Sequence, residues 1–68
     1  MKLISKDEFY KLIGPRDICV SYVYIKNESY FRTRSGVLVG ICKYIETDDG
    51  SINEYYIDIQ VLPPEIKD

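Results

Sequence analysis

The sequence predicts an α+β fold in which a short N-terminal helix packs on a three- or four-stranded antiparallel β-meander. Three observations predict this class: a capped helical segment at the start, a following region rich in β-branched and aromatic residues, and polar turn clusters that divide that region. With 68 residues, 46% hydrophobic and 29% charged, the chain is expected to form one small domain over residues 1–68. We keep one alternative, in which a bend at Ser35-Gly36 curls the strands toward a small open barrel.

The helix is predicted over about residues 5–13. Ser5 is a favourable N-cap residue, and Glu8 three positions later completes a capping-box pattern. Ile4 before the cap and Phe9 in the helix are spaced to form a hydrophobic staple. The helix is therefore expected to begin the fold and to cover the sheet with its apolar face.

Four strands are predicted after the helix, over about residues 17–25, 30–35, 37–46 and 53–62. Each is rich in residues that favour sheet, and a turn cluster at 26–29 divides the first two. Side-chain alternation divides each strand between a core face and an opposite face. The predicted core set is Ile18, Val20, Tyr22, Tyr24, Phe31, Val37, Val39, Ile41, Ile45, Tyr55, Ile57, Ile59 and Val61.

Asp48, Asp49 and Gly50 mark the turn between the last two strands. A loop of these three residues, or another loop of odd length, is predicted because it pairs Thr47 with Ser51. That register keeps the apolar residues of both strands on one face. A two-residue loop would turn the core set of one strand to the opposite face.

The face opposite the predicted core is the more informative one for function. A sheet face exposed to water is normally polar, but this face would carry several aliphatic residues and three tyrosines, Tyr30, Tyr44 and Tyr56. Tyr and Arg are enriched at the energetic centres of protein interfaces. The pattern predicts an interface on this face, unless closure into a barrel buries it.

Charge is distributed unevenly along the chain, although the net charge is only −2. Residues 1–44 hold eight Lys or Arg and four Asp or Glu, a net of +4, whereas residues 45–68 hold one and seven, a net of −6. A bipolar surface can dock by electrostatic complementarity, although opposite charges that neighbour each other across a sheet give the same pattern. The candidate interface residues are Tyr30, Arg32, Arg34, Tyr44, Tyr56, Asp58, Glu46, Asp48 and Asp49.

The composition argues against catalysis and metal binding. There is no histidine, the commonest general base and transition-metal ligand, and two cysteines alone cannot complete a tetrahedral zinc site. A calcium loop centred on Gly50 fails because Ile45 and Tyr56 would occupy its first and last ligand positions. We expect no catalytic residue, no metal and no cofactor.

A cytoplasmic location is expected from the same sequence. The N-terminus has no apolar stretch of signal-peptide length, and no apolar run is long enough for a transmembrane helix. Cys19 and Cys42 are then expected to be thiols rather than a disulfide bridge, because the cytoplasm is reducing.

The first functional hypothesis is a small non-catalytic protein-binding module. It rests on the apolar, tyrosine-rich face, the charged turns and the lack of catalytic chemistry. In size and build the chain resembles the compact accessory proteins of bacteriophages, including antirestriction and anti-CRISPR inhibitors. The resemblance implies an inhibitor of a host or defence protein complex in the host cytoplasm. Because the resemblance rests on no motif, no functional residue can be assigned from it.

Nucleic-acid binding is the second hypothesis. Aromatic residues alternate with cations between Tyr22 and Arg34, as in single-strand platforms, although a net charge of −2 disfavours phosphate contacts. The segment from Ser35 to Gly40 resembles the Gly-x-x-x-Gly strand of Sm/SH3-like barrels, but the Asp-x-x-x-Asn that follows in Sm-like proteins is missing. A third hypothesis is a homodimeric structural protein whose second face is its own interface. No membrane partner is expected.

Overall fold

The computed structural model describes residues 1–62, and these confirm the predicted α+β class. Five strands and one α-helix make up the fold of this range. Their bounds are β1 Lys2–Ile4, α1 Lys6–Ile13, β2 Ile18–Val23, β3 Glu28–Thr33, β4 Leu38–Thr47 and β5 Gly50–Ile57. Two short 3₁₀ helices, Tyr24–Lys26 and Ile59–Val61, follow β2 and β5.

The five strands form one antiparallel sheet in the order β1-β5-β4-β3-β2. Strands β2 to β5 follow one another as a meander, and β1 is added beside β5. Within residues 1–62 the sheet is not closed, so β1 and β2 are its two edges and the barrel alternative is not confirmed. The prediction of three or four strands was wrong because it did not include β1.

The helix is not the N-terminal element that the sequence predicted, because β1 precedes it. Leu3 pairs with Tyr56 of β5, and Ile4 pairs with Tyr55. A three-residue strand is too short to show an alternating pattern, and its hydrogen-bonding partner lies more than fifty residues away along the chain. The local sequence pattern therefore predicted the start of the helix but not the edge strand that precedes it.

Helix α1 begins where the capping signal predicts, since the backbone N–H of Glu8 donates to Oγ of Ser5 at 3.2 Å. Phe9, in the middle of α1, is fully buried. Its ring makes an edge contact with Phe31 at 4.9 Å between centroids and a tilted contact with Tyr55 at 5.2 Å. These aromatic contacts join the helix to β3 and β5.

Gly40 of β4 lies directly beneath the Phe9 ring. A Cβ atom at position 40 would be 2.9 Å from Cε2 of Phe9 and 3.1 Å from the carbonyl oxygen of Tyr56. The absence of a side chain therefore permits the close approach of helix to sheet. The buried core of the described residues is Phe9, Ile13, Phe31, Val39, Tyr55 and Ile57.

The hairpin between β4 and β5 has a two-residue loop, Asp48-Asp49, and the predicted three-residue loop was wrong. Gly50 joins the ladder opposite Thr47 and carries a φ of +137°, which suits glycine. The loop pairs residues of opposite parity, so Ile41 lies opposite Tyr56. As a consequence, Ile41 and Ile45 lie on the face away from the core, contrary to the predicted core set.

A β-bulge at Val39 restores part of the predicted core. The β3–β4 register shifts there, because Phe31 pairs with Gly40 whereas Arg32 pairs with Leu38. Val39 is the extra residue, and a bulge directs its side chain to the same face as its neighbour. Val39 is fully buried as predicted, although Ile41 is not.

Several predicted core residues are exposed because their strands end early. Tyr24 lies in the 3₁₀ helix after β2 and is 82% exposed, and Ile59 lies in the one after β5. Val20 and Tyr22 do lie on the core face, since Val20 pairs with Phe31. Both are more than half exposed because α1 packs mainly on the β5 side of the sheet, away from the β2 edge.

Replacing Gly40 by alanine tests the contact between helix and sheet. Gly40→Ala is expected to lower the free energy of unfolding by about 1–3 kcal/mol, because the methyl group overlaps the Phe9 ring. Chemical denaturation measures the loss. Phe9→Leu also loses packing, but the double variant should lose less than the sum of the two, since the smaller side chain accommodates the methyl group. Additive losses would contradict the contact.

Burial of Tyr55 makes the free energy of unfolding depend on pH in the alkaline range. Burial raises the pKa of Tyr55 to about 12 from an ordinary value of 10.0, with smaller contributions from Cys42 and Tyr10. The folded state therefore favours the neutral phenol, and this stabilisation is complete below the unfolded-state pKa. We expect an additional loss on the order of 1–3 kcal/mol as pH rises from about 10 to 12, absent in Tyr55→Phe. Denaturant titrations across this range would reveal parallel curves if Tyr55 does not contribute.

Candidate functional site

The two faces of the sheet are distinguished by the helix. Residues directly opposite one another in an antiparallel ladder point to the same face. Phe31, Gly40 and Tyr55 therefore define the helix face, on which Phe9 packs. Their neighbours along each strand define the opposite surface, which we call the open face.

One row of side chains crosses all five strands on the open face. Its members pair in sequence across the sheet: Ser21 with Tyr30, Tyr30 with Ile41, Ile41 with Tyr56, and Tyr56 with Leu3. The three inner residues are partly buried, and Leu3 is 53% exposed at the β1 edge. This central row places two tyrosine rings on either side of an isoleucine.

A charged row lies beside the central row. Lys43 of β4 is flanked by Glu28 of β3 and Glu54 of β5. The Tyr56 hydroxyl donates to a carboxylate oxygen of Glu54 at 3.0 Å, and the Tyr30 hydroxyl lies 3.4 Å from a carboxylate oxygen of Glu28. Each tyrosine is thus held by the acidic residue two positions earlier in its own strand.

A cation also lies over each tyrosine ring. The guanidinium carbon of Arg32 is 5.1 Å from the centre of the Tyr30 ring, and Nζ of Lys43 is 5.3 Å from that of Tyr56. Arg32 further donates to Oγ of Ser21 at 3.2 Å. Two cations and two carboxylates therefore balance around the central row, and the rings are fixed in place by polar contacts at their edges.

The hydrogen bond to Glu54 changes the acidity of Tyr56. Donation to the Glu54 carboxylate is the largest cause that raises the pKa of Tyr56 above its ordinary value of 10.0, followed by burial and the charge of Glu54. The bond favours the neutral phenol. Tyr56 is therefore held as a hydrogen-bond donor to its own strand.

The structure brings three of the nine predicted interface residues together: Tyr30, Arg32 and Tyr56. The other six lie elsewhere. Tyr44 and Glu46 belong to the helix face, because the two-residue hairpin loop places even-numbered β4 residues there. Arg34 pairs with Asp17 at 2.5 Å in an exposed turn, Asp48 and Asp49 form the hairpin loop, and Asp58 caps the second 3₁₀ helix.

Six residues of these two rows were not among the predicted candidates: Leu3, Ser21, Glu28, Ile41, Lys43 and Glu54. Leu3 depends on β1, and Ile41 and Lys43 depend on the hairpin register. Glu54 could have been found from a repeated pattern, because Glu-x-Tyr occurs in β3 and again in β5. Side chains two apart in a strand share a face, so the repeat predicts two equivalent Glu–Tyr contacts.

Other features of the described chain lie outside the open face. A shallow pocket of about 360 Å³ is lined by Met1, Lys2 and residues 57–60. Cys19 and Cys42 are free. Within residues 1–62 there is no cluster of three or more His, Cys, Asp or Glu side chains arranged for a metal ion, and no helix in this range has the length and apolar character needed to cross a membrane.

Comparison with known proteins gives no relative. No protein-family model, curated protein or solved structure matches the chain.

The contact between Tyr56 and Glu54 can be tested without knowledge of any partner. Glu54→Gln should lower the pKa of Tyr56 toward its ordinary value, because an amide cannot supply the negative charge. Titration followed by ¹³C NMR of tyrosine labelled at Cζ measures this pKa. Glu46→Gln, which removes an acidic residue of the same strand pair on the other face, is the matched control. An unchanged Tyr56 pKa in Glu54→Gln would contradict the contact.

Proposed function

We propose that this chain is a small non-catalytic module that binds another protein through the open face. The observation that carries the proposal is the central row, in which Tyr30, Ile41 and Tyr56 lie side by side across three strands. Large aromatic side chains at the centre of a patch, surrounded by polar groups, are typical of the energetic centre of a protein interface.

The arrangement also limits the entropic cost of binding. The hydroxyl groups of Tyr30 and Tyr56 contact Glu28 and Glu54, and a cation lies over each ring. Side chains that already occupy one geometry lose little freedom when a partner covers them. Half-burial of the same rings leaves apolar area for a partner to remove from water.

Charge balance favours a protein partner over nucleic acid. Glu28 and Glu54 lie in the same patch as Arg32 and Lys43, so the open face offers no surplus of positive charge for phosphates. The aromatic residues and cations between positions 22 and 34 do not form one platform. Phe31 is buried under the helix, whereas Arg34 pairs with Asp17.

A narrower form of the proposal concerns the partner. From the size and build of the chain, we propose that the partner is a subunit of a host or defence complex. The chain would inhibit this complex in the cytoplasm.

Affinity capture with matched variants tests the proposal. Ile41→Lys places a charge in the middle of the central row, and Tyr56→Ala removes one ring. Both are expected to weaken capture of a specific protein by at least about 30-fold, the loss typical of an interface centre. Tyr24→Ala removes a ring that is 82% exposed outside the open face, and it should capture the same protein as the wild type. Circular dichroism verifies that all three variants fold.

Two outcomes would contradict the proposal. The first is equal capture by Ile41→Lys, Tyr56→Ala and the wild type. The second is micromolar binding to labelled single- or double-stranded DNA or RNA that weakens steeply with salt, measured by fluorescence anisotropy. That result would favour the nucleic-acid hypothesis and make Arg32 and Lys43 the next residues to replace.

A further inference from the structure

The two edges of the sheet differ in how they are protected. Edge β1 has only three residues and includes Lys2, and both features discourage pairing with another strand. Edge β2 has six residues, Ile18–Val23, with no charge, no proline and no bulge. Its four central residues are all exposed, on both faces of the sheet. An edge of this kind is a template for another β-strand.

The direction of the backbone groups follows from hydrogen bonds elsewhere in the sheet. The N–H of Tyr44 donates to the carbonyl of Asn27, and the N–H of Thr33 donates to that of Val37. The backbone N–H and C=O groups of odd-numbered β3 residues therefore bond to β4, and those of even-numbered β3 residues bond to β2. Ser21, opposite Tyr30, must then bond to β3. Val20 and Tyr22 consequently direct their N–H and C=O groups away from the sheet.

We propose that β2 pairs with β2 of a second copy of this chain, antiparallel, about a two-fold axis at Ser21. Val20 of each copy then lies opposite Tyr22 of the other, and four backbone hydrogen bonds join the two strands. Each Val20 also packs beside a Tyr22 ring on the helix face. Two five-stranded sheets become one sheet of ten strands.

The axis is placed at Ser21 because the neighbouring registers satisfy fewer groups. An axis at Val20 would require Ile18, whose N–H already donates to the carbonyl of Arg16 at 3.1 Å. An axis at Tyr22 would require Tyr24, which lies in a 3₁₀ helix and whose carbonyl accepts from Asn27. Axes between residues would place the two helices on opposite faces, which two-fold symmetry does not allow for adjacent antiparallel strands.

A second copy fits this edge better than an unrelated strand for three reasons. The outward N–H and C=O groups of Val20 and Tyr22 can pair with the same groups of a second copy. Because the strand is uncharged, the pairing brings no like charges together. Ser21 belongs to the central row, so the two-fold axis joins the two central rows into one. Only six side chains form the buried core of the described residues, and a domain this small gains stability from association.

Sedimentation velocity over a range of concentrations tests the pairing. The wild type is expected to reach twice the 8.0 kDa of one chain. Tyr22→Lys, which adds an edge charge, should weaken dimerisation at least about tenfold. Val20→Pro should do the same, because it removes an outward N–H without breaking a bond to β3. Ile52→Lys, at a half-exposed position on β5 away from the β2 edge, should dimerise like the wild type.

A crosslink tests the register independently. Residues opposite each other at the axis form a non-hydrogen-bonded pair, whose Cα atoms lie about 4.5 Å apart, within the range for a disulfide. In a chain with Cys19 and Cys42 replaced by serine, Ser21→Cys should form a covalent dimer on mild oxidation. Ser51→Cys, exposed near the hairpin loop, should not.

Three results would overturn the proposal. One is a wild type that stays monomeric up to about 1 mM. Another is a dimer that Tyr22→Lys and Val20→Pro leave intact while circular dichroism shows both folded. The third is equal crosslinking at positions 21 and 51. A chain that stays monomeric and binds an extended peptide along β2 would also overturn the proposal, as a case of the first result. The pairing uses the sheet edge and does not depend on what the open face binds.

Discussion

The contact between the Phe9 ring and the backbone of Gly40 is the constraint on which the rest of the structure depends. A side chain at position 40 would occupy the volume of the ring, so the helix can lie close to the sheet only over glycine. Phe9 then reaches both Phe31 and Tyr55 and closes the core from one side. Because the one short α-helix of residues 1–62 covers only part of one face, the other face is available within this range for a different role.

Two local irregularities determine which side chains occupy each face. The two-residue loop between β4 and β5 aligns Ile41 with Tyr56, and the bulge at Val39 returns that side chain to the core. With a three-residue loop and the same β3–β4 pairing, Tyr56 would move to the helix face and the central row would be broken. The open face is therefore a product of hairpin geometry as much as of composition.

A core of six side chains leaves many apolar residues of the described chain at its surface, and their distribution is uneven. One group forms the central row, where polar contacts hold Tyr30 and Tyr56. A second group follows the β2 edge, where Val20 and Tyr22 lie beside outward backbone groups. Both surfaces offer area that a small domain gains by covering. They share Ser21, so association along the edge would extend the open face rather than cover it.

The sequence by itself determined the class of fold, the helix capped by Ser5 and the meander that follows, because capping and side-chain alternation are local. It also indicated three residues of the open face, Tyr30, Arg32 and Tyr56. Only the tertiary structure decided the pairing of β1, the loop length at Gly50 and the bulge at Val39. Each of these depends on hydrogen bonds between distant segments or on one residue joining a ladder, and a change of one residue in register exchanges the two faces of a strand.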